Sequence, residues 1–428
     1  MINGYLGSME MKNRYLKERR IAGRKLKWIA TWVVSIITVV CNAQQAVTVE
    51  QARLLPSEQF IRQTGNLDNV RYRIRSGQSV TVAFLGGSIT NMEGWRGKVT
   101  AYLSSRYPAT RFRFLNAGIP SLGSLPHAFR FQKDVLNQGR VDLLFIESAV
   151  NDYVNGTPEI QQRRSLEGII RHALISNPGM NIVLMGFADE FKLADYEAGR
   201  VPAEIRLHEA LAGYYNLPFI NLAEEVYRRI QHKEFTWDGD FKNLHPSPFG
   251  QELYFNTIRT LLQMQLKGKV PPALVKKALP RPLDPLNYAG GRYVPVTEAA
   301  AEKGFVQNPS WQPADGAGTR PGFVKVPVLE GTTVGAAAHL DFEGSAVGIA
   351  VVSGPDAGII RYAIDDGPEQ AVDLYTQWSK GLHLPWYLLL GDGLKKGPHR
   401  LNITIADQHH PQSTGHAVRI VYFLVNGK

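Results

Sequence analysis

Val80-Thr81-Val82-Ala83-Phe84-Leu85-Gly86-Gly87-Ser88-Ile89-Thr90 is the stretch whose reading decides the fold of this chain. A run of β-branched and apolar residues ending in Gly-Gly predicts a buried strand of a doubly wound sheet. The glycines let the backbone turn sharply. The serine then falls at the carboxyl end of the strand, where α/β sheets place their ligands. Strand-Gly-Gly-Ser-helix also describes phosphate-binding turns and plain tight turns, so the segment acquires chemical meaning only from what accompanies it.

Three further segments supply that company. Val141 to Asp152 runs as an apolar strand into small residues and then Asn151-Asp152. Phe112 to Ser124 is a strand followed by a loop of small residues, Ile119-Pro120-Ser121-Leu122-Gly123-Ser124. Asn243-Leu244-His245-Pro246-Ser247-Pro248-Phe249-Gly250 opens a helical stretch. Serine, small-residue loop, asparagine and histidine, in that order after successive strands, resemble the SGNH (GDSL-type) hydrolase superfamily. Gly86-Gly87-Ser88-Ile89 stands where that family has Gly-Asp-Ser-Leu, Ala149-Val150-Asn151-Asp152 where it has Gly-x-Asn-Asp, and His245-Pro246 where its last block ends.

The residue types suit acyl transfer. A serine hydroxyl is a poor nucleophile until a base takes its proton, and histidine titrates near neutral pH. The resemblance therefore implies Ser88 as nucleophile and His245 as base. It also implies an oxyanion hole made of the Ser88 backbone N–H, a backbone N–H in the 121–123 turn (Ser121 or Gly123), and the Asn151 side-chain amide. Two departures stand out. The family's block-two glycine aligns with Ser121, with Gly123 two residues on. The family's Asp-x-x-His is missing, because Lys242 occupies the position three before His245. Asp240 and Asp238 lie five and seven residues before the histidine. We take Asp240 as the orienting acid of a triad. Asp238, or a backbone carbonyl completing a Ser-His dyad, are the alternatives.

The chain's start reads as an export signal over residues 1–43. Lys12, Arg14, Lys17, Arg19, Arg20, Arg24, Lys25 and Lys27 precede an apolar stretch at 28–40, followed by Cys41-Asn42-Ala43. That stretch is shorter than the roughly 20 residues a membrane span needs. The expectation is a secreted or periplasmic enzyme. Lipoprotein anchoring through Cys41 is disfavoured, because Val40 precedes it where a small residue is wanted. Residues 1–43 hold eight of the 48 basic and two of the 38 acidic residues, leaving 40 against 36, a net +4 in place of +10. No basic footprint for nucleic acid survives. The single cysteine leaves with the signal, so no thiolate metal site remains, and no cofactor or metal is expected. His409-His410 reads as a hairpin tip.

The remaining length predicts two domains. Strands are expected at 80–85, 113–116, 141–147 and 181–186, and helices at 95–105, 127–137, 160–174, 203–215 and 249–262. This alternation predicts a mostly parallel sheet covered on both faces, and the resemblance implies that 44–266 is an SGNH hydrolase domain. A connector over 267–298 contains Pro271, Pro272, Pro280, Pro282, Pro285 and Pro295. Over 299–428, short alternating runs at 323–328, 337–342, 346–352, 359–364, 386–390, 399–406 and 417–425 are separated by turn signals such as Gly391-Asp392-Gly393 and Lys396-Gly397-Pro398. They predict an all-β sandwich. Phe342-Glu343-Gly344-Ser345-Ala346-Val347-Gly348 and then Ile364-Asp365-Asp366-Gly367 resemble the jelly-roll modules attached to bacterial carbohydrate esterases. Tyr375, Trp378, Trp386 and Tyr387 are candidates for stacking on sugar rings, against the simpler reading that they pack in the core or between domains.

Together these features predict an exported serine esterase removing O-acyl groups, O-acetyl above all, from a polysaccharide or oligosaccharide. The competing readings are a lipase, thioesterase or acyltransferase using the same site, and a carbohydrate-binding relative that has lost activity.

Overall fold

The computed structural model describes residues 54–427, so the signal expected at 1–43 lies outside the described residues. The first domain is built on a six-stranded sheet: β1 (Ile61–Arg62), β2 (Val80–Gly86), β3 (Phe112–Gly118), β4 (Leu143–Glu147), β5 (Asn181–Gly186) and β6 (Phe219–Asn221). Its spatial order is β1-β6-β5-β4-β2-β3. Every neighbouring pair is parallel except the short edge strand β1 on β6. All residues of β4 and β5 are buried. That is why these strands read as unbroken apolar runs, since a parallel sheet is covered on both faces.

The covering helices include Trp95–Arg106, Ser124–Asp134, Glu159–Ser176, Ala203–Tyr214 and Pro248–Leu266, which correspond to the five expected from periodicity. Helices Asp68–Arg75, Glu190–Glu197 and Leu222–Gln231 and strands β1 and β6 were not foreseen. Two or three residues of strand are too few to show a period. Under the central strands an aromatic cluster fixes their spacing. Phe84 stacks on Phe145 at 5.4 Å, and Trp95 meets Phe84, Phe145 and Phe187 edge-on. Such pairs add about 0.5–1.5 kcal/mol each beyond their burial.

The second domain is all-β and antiparallel: β7 (Gly291–Pro295), β8 (Ala300–Lys303), β9 (Phe305–Trp311), β10 (Val326–Gly331), β11 (Ala337–Ser353), β12 (Ile359–Ile364), β13 (Gln370–Asp373), β14 (Leu384–Ile405) and β15 (Val418–Asn426). The path runs β13-β12-β14-β11-β15-β10-β9, with β7 added to β15 and β8 to β11. β7 lies inside the stretch read as connector, so pairing with the sheet begins before residue 299. Four expected strands are really two long ones. The runs at 337–342 and 346–352 are both β11, and those at 386–390 and 399–406 are both β14. Gly391-Asp392-Gly393 is not a turn: Ala346 pairs with Asp392 and Val347 with Gly391 in the middle of the sheet. Register shifts at Gly344/Ala346 and Val347/Gly348 mark bulges, which bend a strand without ending it.

The carboxyl half of β11 is buried on both faces. Val347, Ile349 and Val351 enter the β-domain core, whereas Ala346 and Ala350, with Tyr387 and Leu424, enter the core of the α/β domain. The small side chains on that face let the sheet lie close against the helices. The two domains therefore share apolar packing.

Candidate active site

Ser88 is delivered by the end of β2. Gly86 closes the strand, Gly87 turns it, and Ser88 opens the short helix Ser88–Asn91. Its backbone N–H is thus one of the unpaired donors of a helix's first turn. Ser88 Oγ lies 2.7 Å from His245 Nε2, so the structure brings these two residues together. His245 is carried just ahead of the helix Pro248–Leu266. The cap of that helix, Ser247, accepts from the Gly250 N–H, with proline following it. The His245 N–H donates to Asn243 Oδ1 at 2.8 Å, which ties the histidine's backbone to its own loop. Partial burial lowers the His245 pKa below its usual value, keeping the ring neutral and able to accept a proton near pH 7.

Asn151 sits in the helix Ala149–Val154 beyond β4. Its amide lies so close over Gly87 that a β-carbon there would stand 2.0 Å from Asn151 Oδ1, so a larger residue at 87 would have to turn the amide away. Across the site, Leu122 O would be 3.4 Å from the same β-carbon, so the 121–123 loop borders Gly87 as well. Ser121 holds a left-handed conformation, φ 70°, and its carbonyl accepts from Asn155 Nδ2 at 2.9 Å. Among the described residues, the backbone N–H groups of Ser121 and Gly123 donate to no protein acceptor.

One residue of this centre escaped the sequence reading although its motif was quoted. Asp152 is buried, and its Oδ1 accepts from Ser124 N (2.7 Å) and Ser124 Oγ (2.9 Å). It thereby bolts the helix that carries Asn151 to the helix that follows Gly123. Burial pushes its pKa up to about 7 against the opposing Ser124 hydrogen bonds, and Glu147 beneath the same loops is pushed up to about 7 by burial as well. The signal was the second letter of Asn-Asp, which spacing alone could not assign.

The acid expected at Asp240 is placed elsewhere. Residues Trp237–Phe241 curl into a single π-helical turn, and the Asp240 carboxylate accepts from Thr236 N (2.8 Å) and Thr236 Oγ1 (3.0 Å). Those hydrogen bonds to Thr236 lower its pKa. The residues separating Asp240 from His245 do not extend the loop toward the ring, because the turn folds the carboxylate back on its own start. Asp238 is exposed, and among the described residues no carboxylate forms an ion pair with His245.

A cleft opens beside the 121–123 loop at the junction of the domains. One wall comes from Ser121, Leu122 and the 155–161 segment, and the other from Trp386 and its neighbours in β14. Trp386 is half-buried, with Trp378 at 5.7 Å, whereas Tyr387 is buried and its hydroxyl meets that of Tyr293 at 2.6 Å. Tyr375 is occupied by stacking on His410, centroids 4.4 Å apart. Of the four aromatics considered for sugar stacking, Trp386 and Tyr387 reach this cleft.

A hydroxyl paired with a neutral imidazole, beside amide donors at the carboxyl edge of a parallel sheet, is equipped for acyl transfer through serine. Residues 84–253 match the family of GDSL-like lipases and acylhydrolases, which makes the α/β domain a GDSL-type acylhydrolase domain and the chain a carboxylic ester hydrolase. No curated protein matches the chain in sequence. Among solved structures, the chain is similar to a two-domain esterase (CEX) active on acetylated mannans, at TM-score 0.72 and 20% identity, covering 87% of this chain and 98% of that one. The same esterase co-crystallized with mannopentaose matches at TM-score 0.71, again 20% identical over 87% and 98% of the two chains. At this identity the likeness speaks to the two-domain fold. Among the described residues, no helix is long and apolar enough to cross a membrane.

Proposed function

We propose that this chain is an exported esterase that removes O-acyl groups, O-acetyl above all, from a polysaccharide or oligosaccharide through an acyl-enzyme. The 2.7 Å contact between Ser88 Oγ and His245 Nε2 carries the reading. Ser88 Oγ attacks the ester carbonyl as His245 takes its proton. The oxyanion is received by the Ser88 N–H, by the N–H of Ser121 or Gly123, and by the Asn151 amide. Collapse expels the sugar hydroxyl, protonated by His245, and the same ring then draws a proton from the water that frees the acyl group. The substrate class is supported by the cleft beside the 121–123 loop, by the Trp386 ring within it, and by likeness in fold to an esterase active on acetylated mannans.

The test is acetate release from acetylated glycans, measured alongside aryl esters of increasing acyl length. We expect acetyl esters to be preferred. Trp386→Ala should raise KM for an acetylated polysaccharide about tenfold, the loss of roughly 1.4 kcal/mol of stacking, and leave aryl acetate hydrolysis unchanged. Activity rising with acyl chain length would favour a lipase or thioesterase instead.

Two substitutions probe the centre itself. Asn151→Ala should lower kcat by about 100- to 1000-fold with little change in KM, because its amide is aimed at charge that exists only in the transition state. A variant that instead lost thermal stability and kept its rate per folded molecule would make Asn151 a structural residue. Asp240→Asn should cost less than tenfold in kcat, since the asparagine oxygen can keep the Thr236 contacts and no hydrogen bond to His245 is lost. A loss of two orders of magnitude, as wrong-tautomer substitutions cause in serine triads, would restore Asp240 as the partner of the ring.

A further inference from the structure

The Gly391-Asp392-Gly393 segment has no part in the chemistry above, yet its partly buried carboxylate is held by groups from two other segments of the chain. Arg164, on the helix Glu159–Ser176, donates from Nη1 to Asp392 Oδ2 at 2.6 Å and from Nε to Asp284 Oδ2 at 2.9 Å. The Tyr288 hydroxyl donates to the same Asp392 oxygen at 2.9 Å. The charged side chains of this group are only 12–22% exposed. The connector is pinned to the same helix by its backbone. The N–H groups of Leu283 and Asp284 donate to the two oxygens of Glu167, and the Tyr288 N–H donates to the Arg164 carbonyl. Gly168 lets the chain pass, since a β-carbon there would lie 2.6 Å from the Tyr288 backbone.

Three pieces of chain thus meet at one guanidinium: a helix of the α/β domain, the proline-rich connector, and β14. Two of them continue directly into the walls of the cleft. Gln161, three residues before Arg164 on its helix, lines one side, and Leu389, three residues before Asp392 on β14, lines the other. The fork of an arginine holds two carboxylates in fixed directions, which a point charge cannot do. Breaking the Asp392 arm frees one wall relative to the other. The catalytic pair, held by β2 and the helix Pro248–Leu266, is untouched.

We propose that Arg164, Asp284, Tyr288 and Asp392 form a positioning cluster that sets the width of the junction cleft, and with it the enzyme's selectivity for acetylated glycan over small esters. The proposal rests on the cleft being the sugar site, and the test separates the two ideas. Asp392→Ala is the informative variant, because Arg164 keeps Asp284 and no charge is stranded. On an aryl acetate, kcat and KM should stay within twofold of the parent. On an acetylated polysaccharide, KM should rise about tenfold at unchanged kcat, and Asp392→Asn, which keeps an acceptor oxygen, should recover most of that loss. Hydrogen exchange supplies a readout that needs no substrate. Amides of residues 384–393 should lose protection in Asp392→Ala, while those of β4 and β5 keep theirs. Equal losses on both substrates, or unchanged exchange across 384–393, would overturn the proposal. If the parent enzyme releases acetate from aryl esters and from no glycan, the sugar reading fails, and the exchange result alone decides whether the cluster holds the cleft wall.

Discussion

Ser88→Ala is expected to reduce hydrolysis of a short-chain aryl ester by about 10⁵- to 10⁶-fold, the scale on which removal of a serine nucleophile acts when the residues of a site work as a unit. The hydroxyl stands at the end of β2 with its hydrogen bond to His245 at a partly exposed position, so its removal leaves no buried polar group unpaired. Stability should change by no more than about 0.5 kcal/mol, a shift in Tm of under about 2 °C. The parent should show a burst of alcohol release as the acyl-enzyme accumulates, and the variant none. A variant retaining more than a few per cent of activity would remove Ser88 from the mechanism.

The second large effect belongs to His245. His245→Ala should lower kcat by about 10⁴-fold or more, and it should also erase a pH dependence. The sign follows from the ring's role. His245 works as a base only when neutral, so kcat/KM falls as pH drops through its pKa. Partial burial places that pKa below the ordinary histidine value of 6.5, and the parent's activity should therefore hold level through neutral pH and decline only in the acid range. The residual activity of the variant should show no such decline. A parent profile with its acid limb centred above pH 7 would mean that a carboxylate stabilises the charged ring in the working enzyme, and Asp240 or Asp238 would again be its source.

The parts of this centre legible in the chain were those written as local patterns. β2, β4 and β5 announced themselves because a strand covered on both faces must be apolar throughout, and each ends in the small or polar residues that the carboxyl edge of such a sheet exposes. Ser88, Asn151 and His245 stand just past such ends or just before a helix cap, at positions fixed by the geometry of neighbouring elements. Asp240 was legible only as the nearest acid. Whether it reached the ring depended on how the backbone of 236–242 turned, and Thr236 offered it closer donors.

Taken alone, the amino-acid sequence determined a parallel α/β domain with a serine, an asparagine and a histidine near the carboxyl edge of its sheet, and an all-β domain after a proline-rich connector. Periodicity and turn chemistry are properties of neighbouring residues, and these features need nothing more. Tertiary structure decided the rest. It joined four expected strands into the bent β11 and β14, because glycine there serves a bulge in a sheet already paired on both sides. It turned Asp392 from a turn residue into a partner of Arg164, 228 positions away in the chain. It also raised the cleft between Ser121 and Trp386, a contact between distant segments that exists only once both domains have packed against a common core.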